Sequence, residues 1–275
     1  MTAPPEYFFI VGAMKAGTTS LYNYLANHPD LYPSPKKEPS VFRDPADAAV
    51  LRARFEALFV GRRQERWCFE GSTSYTKYPS AAGVPRRLRS VVPDARFIYL
   101  VRDPVERVWS QYLHNLANGR ESRTLERAIR EDAQYLDVSR YHQQLVQYLE
   151  IFPRERILIQ VFEEMVKAPE ATVRAVCEFL GVDSSYQAPT TDVAFNASGE
   201  KIAASRGLRL IRSLKLHDRV PWRLRRHLKQ MGTPLPCRRD VLTQPLKKQI
   251  VEALGDDTQR FFEIIGRRVD WASLQ

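Results

Sequence analysis

The apolar positions of this chain follow two rhythms in alternation. Short runs rich in aromatic and β-branched residues, the pattern of buried strands, occur over residues 7–11, 67–70, 96–101 and 156–162, with a shorter one at 31–35. Between them, apolar residues spaced three and four apart predict helices over 18–26, 52–58, 81–92, 105–116, 125–131, 141–152, 169–180 and 247–265. In the first of these, Leu21, Tyr22 and Leu25 fall on one side. Turn chemistry sets several ends. Pro29 biases His28 away from helical geometry, and Gly181 closes the 169–180 helix in the left-handed position after it. Residues 71–74 read as a polar turn and 183–200 as a loop, with further helices expected near 202–216 and 221–230. No repeat or low-complexity tract interrupts the pattern. Strands alternating with helices predict a single α/β domain over residues 1–275, with a central, mostly parallel sheet covered on both faces. Ligands in such sheets bind beyond the carboxyl ends of the strands. The loops after Val11, Glu70, Val101 and Phe162 are therefore where chemistry is expected.

Composition narrows the classes. At 44% hydrophobic and 27% charged, the 275-residue chain is ordinary for a globular protein, which excludes global disorder. The uncharged run at 7–14 is far shorter than the roughly 20 residues of a membrane span, and no signal-peptide pattern is visible. Cys68, Cys177 and Cys237 are odd in number and widely spaced, with neither metal-site nor disulfide-framework spacing. A reducing, cytoplasmic compartment is the simplest expectation. The net charge of +10 is local: residues 201–240 hold twelve Lys and Arg against two Asp and so carry all of it. Leu208, Leu210, Ile211, Leu214, Trp222 and Leu224 are interleaved with these cations. That suits either a core-packed helix pair with a solvated basic face or an amphipathic surface that meets an anionic membrane or anionic acceptors.

Two segments carry chemistry. In Gly12-Ala-Met-Lys15-Ala16-Gly17-Thr18-Thr19-Ser20, the glycines let backbone N–H groups converge before a helix start, and Lys15 and the hydroxyls add donors. Together these make a phosphate cradle. It is not a Walker A loop, because Thr18 stands where that motif has lysine. A plain glycine turn before a helix is the unspecialised alternative. The second segment runs from Arg102-Asp103-Pro104 to Ser110. Arg102 stands at the carboxyl end of the most apolar strand, and Arg107 and Ser110 lie on the following helix. A guanidinium suits bidentate phosphate recognition; an Arg-Asp pair capping the helix is the alternative.

Taken together, these segments resemble the sulfotransferases that use 3′-phosphoadenosine 5′-phosphosulfate (PAPS). Lys15–Ser20 is similar to that family's 5′-phosphosulfate loop, and residues 97–104 with Trp109-Ser110 to its 3′-phosphate motif. The resemblance extends through residues 141–162 to the closing stretch 254–271. It implies a P-loop kinase-like fold, PAPS as sulfuryl donor and no metal. It also implies that Lys15 touches the bridging and sulfuryl oxygens, that Ala16, Gly17, Thr18, Thr19 and Ser20 hold the 5′-phosphate, and that Arg102 and Ser110 hold the 3′-phosphate. Phe195, near the adenine, and Arg206, in a late basic loop, would complete the donor site.

The base implied is Glu38. Members acting on phenols and steroids use a histidine that the matching stretch 69–75 lacks, whereas Lys37-Glu38-Pro39 resembles the glutamate motif of carbohydrate members, including those for heparan sulfate. A carboxylate beside the donor lysine can take a hydroxyl proton. The unspecialised reading pairs Glu38 with Lys36 or Lys37 on a solvated loop. Many carbohydrate members also carry a lysine after the third strand, where this chain has Gly71-Ser72. The expected acceptor is a hydroxyl, or an amine, of a small molecule, carbohydrate, glycolipid or other lipid. Nucleic acid is not expected, since no nucleic-acid motif is recognisable. His28 reads as a helix cap, His114 and His142 as surface or packing residues, and Glu163-Glu164 as structural. A small-molecule kinase of similar fold and a non-catalytic anion-binding module remain alternatives; neither a Walker lysine nor a clear Mg²⁺ carboxylate supports the first.

Overall fold

The apolar runs assemble into one parallel sheet. The computed structural model describes residues 4–188 and 241–275. Strands β1 (Glu6–Gly12), β2 (Leu31–Pro33), β3 (Trp67–Gly71), β4 (Arg96–Val101) and β5 (Ile157–Val161) lie in the order β2-β3-β1-β4-β5. Every neighbouring pair is parallel, with Phe8 opposite Phe69 and Phe9 opposite Phe97. Parallel neighbours need crossovers. Helices α1 (Thr18–Leu25), α2 (Ala48–Glu56), α3 (Val84–Val91), α4 (Pro104–Ala117), α5 (Leu125–Glu131), α6 (Gln134–Asp137) and α7 (Tyr141–Leu149) lie in those crossovers, and α8 (Phe162–Lys167), α9 (Pro169–Leu180) and α10 (Gln244–Ile265) follow β5.

Strand alternation sends Phe8 and Phe9 to opposite faces. Phe8 stacks on Phe69, which meets Tyr22 of α1, and Trp67 donates to the Leu180 carbonyl at the end of α9. Phe9 stacks on Phe97 and on Phe55 of α2, and Phe97 meets Tyr148 of α7. Both faces are thus covered, and the inner strands β1, β3 and β4 are buried through their centres, while the edge strand β5 is partly exposed. A second cluster joins α4 and α5 to α10 through Val108, Trp109, Leu125, Ile250 and Leu254. The chain leaves β1 towards β2 on one side and reaches β4 and β5 on the other. The sheet therefore reverses its winding at β1, and the crevice beyond β1 and β4 is the expected ligand site.

Strand β4 and helices α5 and α9 have the predicted bounds. Helix α3 begins at Val84 rather than residue 81, because left-handed Gly83 (φ 75°) precedes Pro85 in its first turn. The polar turn after β3 is a 3₁₀ turn over Thr73–Thr76. The last strand stops at Val161, and the chain passes directly into α8, which is too short for its periodicity to show in the sequence. Residues 189–240, with Phe195, Arg206, Cys237 and the basic segment, lie outside the described residues. Cys68 and Cys177 are buried and unpaired. Among the described residues, no helix is long and apolar enough to cross a membrane.

Candidate active site

The loop from β1 to α1 is shaped by its glycines. A Cβ on Gly12 would collide with the Thr76 hydroxyl, which donates to the Val11 carbonyl at 2.8 Å. Gly17 is left-handed (φ 86°), and a Cβ there would come 2.5 Å from Met165 and 2.6 Å from the Phe162 ring. Helix α1 starts from this glycine with no side-chain cap and no acidic residue in its first turn. The Ser20 N–H donates to the Gly17 carbonyl at 3.0 Å, and the N–H groups ahead of it and the positive end of the dipole suit an anion. Thr18 and Ser20 are buried in that first turn, with Lys15 in the loop just before it at φ 73°.

Arg102 leaves the carboxyl end of β4 and donates to the Lys15 carbonyl at 3.2 Å, its guanidinium 4.6 Å from the centre of the Phe162 ring. Its buried Nε has no hydrogen-bond partner. A buried donor without a protein partner calls for a functional explanation, and a guanidinium at the end of a strand suits an anion. Arg107 is fully buried, and its donors go to the protein: Ser139 Oγ, Gln111 Oε1, the Tyr135 carbonyl and, at 3.4 Å, the Met14 carbonyl. Burial pulls its pKa down to about 10. It holds the loop rather than presenting its fork to a ligand. Ser110 sits three residues further along α4, 7% exposed.

Asp103 is the joint between this loop and the rest of the fold. Its carboxylate caps α4 by accepting from Val105 and Glu106 N–H, and it also accepts from Ser273 N (2.9 Å) and Oγ (2.7 Å). Its own N–H donates to Glu163, whose other oxygen accepts from Trp271 Nε1. Glu164 pairs with Arg267 at 2.6 Å. Both glutamates are thus engaged in structural contacts. His28 accepts from Asp30 N–H through Nδ1, while Nε2 lies 3.0 Å from the Asp183 carbonyl, so it closes the turn after α1.

Lys37 and Glu38 arrive at the cradle from the segment after β2. The Glu38 N–H donates to the Gly71 carbonyl, Ser40 N–H to Ser72 Oγ, and the Ser40 and Ser74 hydroxyls lie 2.9 Å apart. These bonds hold two residues, Glu38 (φ 63°) and Ser40 (φ 56°), in left-handed geometry. With Lys15 they are all the non-glycine residues at positive φ among the described residues. Such conformations cost on the order of 1 kcal/mol each and persist where surrounding structure imposes them, typically at functional sites. The Glu38 carboxylate accepts from Thr73 N–H (2.8 Å), Thr73 Oγ1 (3.1 Å) and Lys37 Nζ (2.8 Å), yet its side chain remains 38% exposed. The simple Lys37–Glu38 pairing does exist, but at the cradle: Lys37 Nζ also donates to Thr18 Oγ1 at 3.3 Å.

Beneath this loop lies Glu70, fully buried, with Oε2 accepting from Ser72 Oγ at 2.6 Å and Oε1 unpartnered. Burial pushes its pKa up to about 7, against the Ser72 hydrogen bond; the Glu38 charge adds to the rise and the Lys37 charge opposes it. Burial pushes Lys77 down to about 8, with the Glu38 charge opposing.

The structure thus gathers Lys15, Ala16, Gly17, Thr18, Thr19, Ser20, Glu38 and Arg102 at one crevice, with Ser110 on the adjoining helix. Thr73 was not singled out by the sequence, and Lys37 was read there only as part of the glutamate motif and a possible partner of Glu38. The only advance signal for Phe162 was its place at the carboxyl end of a strand. Among the described residues, no group of three or more His, Cys, Asp or Glu is placed to hold a metal ion.

Comparison with known proteins places the chain in a family. The model of the sulfotransferase family matches residues 36–186, and the chain belongs to that family. It is 29% identical over 272 residues to human heparan sulfate glucosamine 3-O-sulfotransferase 6, covering 95% of this chain and 72% of the relative. It is 34% identical over 106 residues to the membrane-associated sulfotransferase kil1 of Dictyostelium discoideum, covering 38% of this chain. The chain spans 22% of that relative's length and about half or less of several others. A sulfotransferase from Alicyclobacillus acidocaldarius superposes with a TM-score of 0.71 at 26% identity, covering 100% of both chains.

Proposed function

We propose that the chain transfers a sulfuryl group from PAPS to a hydroxyl acceptor. The observation that carries this reading is the uncapped start of α1 together with Arg102, whose Nε has no protein partner and whose Nη1 bonds the Lys15 carbonyl in the loop before that helix. A nucleotide with phosphates at two positions suits two such anion sites. When bound, it supplies an electrophilic sulfuryl group on its 5′-phosphate.

The chain's residues divide the work. Gly17, Thr18, Thr19 and Ser20 hold the 5′-phosphate with backbone and hydroxyl donors. Lys15 offsets the charge that grows on the leaving oxygen. Arg102 and Ser110 recognise the 3′-phosphate, which takes no part in bond making but positions the reacting end. Glu38 takes the proton from the acceptor hydroxyl. Its oxygens are fixed by Thr73 and Lys37 while the side chain stays open to solvent. A carboxylate base favours an aliphatic alcohol, as in a carbohydrate or glycolipid, over a phenol. The name of the human relative, a glucosamine 3-O-sulfotransferase, supports the sugar class.

Calorimetric titration tests the donor assignment. Adenosine 3′,5′-bisphosphate (PAP) should bind at least tenfold more tightly than AMP, and Arg102→Ala should remove most of that preference, since a charge-assisted contact is worth roughly 1.5–3 kcal/mol. Equal binding of the two nucleotides by the unaltered protein would overturn it.

A further inference from the structure

The ammonium of Lys37 has a position that no residue role assigned so far uses. It is bonded at once to the residue proposed to hold the donor phosphate, Thr18 Oγ1 (3.3 Å), and to the residue proposed to take the acceptor proton, Glu38 Oε1 (2.8 Å). A group passing from donor to acceptor must travel between those two residues. The lysine stem runs along the end of β3, where a Cβ on Gly71 would lie in ordinary contact with it, 3.7 Å from Lys37 Cε. The stem is largely covered, with 17% of the side chain exposed, so the ammonium has little freedom to leave the crevice.

From this placement we infer that Lys37 is a catalytic residue whose ammonium contacts the oxygens of the transferring sulfuryl group. The inference rests on the donor reading given above. In the resting protein the ammonium is tied to Glu38. A sulfuryl group beside Thr18 offers it anionic oxygens within reach, and turning towards them frees Glu38 Oε1 to accept a proton. The acceptor oxygen forms a bond to sulfur. The bond from sulfur to the 5′-phosphate oxygen breaks, its electron pair going to that phosphate, and Glu38 receives the hydroxyl proton. Lys37 gives up no proton and changes only its partners. Its charge matches that spread over the sulfuryl oxygens between the two bonds.

The test compares two nucleotides that differ by the sulfuryl group alone. Calorimetry would measure PAPS and PAP on the unaltered chain, Lys37→Met and Lys37→Arg, with Lys37→Gln as the second neutral variant if the first fails to fold. The expected result is that Lys37→Met weakens PAPS about tenfold while weakening PAP less than about threefold. Lys37→Arg, which keeps the charge, should retain the original ratio of the two affinities. Equal weakening of both nucleotides would make Lys37 part of the phosphate cradle or the fold and overturn the inference, as would an unchanged ratio. If the unaltered chain bound neither nucleotide, the donor reading itself would fall, and the inference with it.

Discussion

Glutamine in place of Glu70 should make the protein more stable above neutral pH and change it little in mild acid. The carboxyl is fully buried beneath the Glu38 loop, with one oxygen on Ser72 and the other unpartnered, and burial raises its pKa from an ordinary 4.5 to about 7. An acid whose pKa is raised by folding favours the folded state below its unfolded value. That stability is lost as pH rises from about 4.5 towards 7 and stays lost above it. At about 1.4 kcal/mol per tenfold change in proton affinity, ionised Glu70 costs the folded state roughly 3 kcal/mol. Glutamine keeps the shape and a carbonyl for Ser72 but cannot ionise. Denaturant unfolding of the native and Glu70→Gln proteins at pH 5 and pH 8 isolates the effect, because other titrations are common to both. The stability difference should move by roughly 2–3 kcal/mol in favour of glutamine between the two pH values. A difference constant to within about 0.5 kcal/mol, or one moving the other way, would show that Glu70 is not held in the way described.

Two further outcomes follow from the site. Glu38→Gln should leave affinity for PAP nearly unchanged and cut turnover by on the order of 10²–10⁴, as steady-state kinetics beside calorimetry would show; near-normal turnover would place the base elsewhere. Asp103→Ala removes the cap of α4 and the grip on Ser273 together, so a loss of about 1–3 kcal/mol is expected in unfolding experiments, with weaker PAP binding because Arg102 is adjacent; an unchanged unfolding midpoint would contradict the joint.

The parts of the fold legible in the sequence were those with local punctuation. Strand β4 is a continuous apolar run broken by Asp103-Pro104, and α9 is bracketed by Pro169 and Gly181, so their ends could be placed. The parallel five-stranded sheet flanked by helices followed from the alternation of elements. Helices α6 and α8 did not, since four and six residues are too few for a face to repeat. At the site, the glycine loop and Arg102 could be read because each lies next to the end of a strand. Lys37 could be read only as a neighbour of Glu38 in a short charged run; its bond to Thr18 appears only when the fold brings the segment after β2 beside the start of α1. Arg107 shows the reverse case. Its residue type suits phosphate, but burial among carbonyls gives all the donors described above to the protein.

The left-handed residues at the crevice have a practical consequence for anyone hardening this protein against heat. Glycine at Lys15, Glu38 or Ser40 would ease the backbone and look attractive in a search for thermostable variants. Each change would remove a side chain held at the crevice: the loop lysine and the carboxylate on Thr73, both proposed to act in transfer, or the hydroxyl that meets Ser74. On that proposal, screens scored on melting temperature alone would enrich for inactive variants at Lys15 and Glu38. Selection for robustness is better directed at exposed residues with no proposed role, such as Val60, 85% exposed.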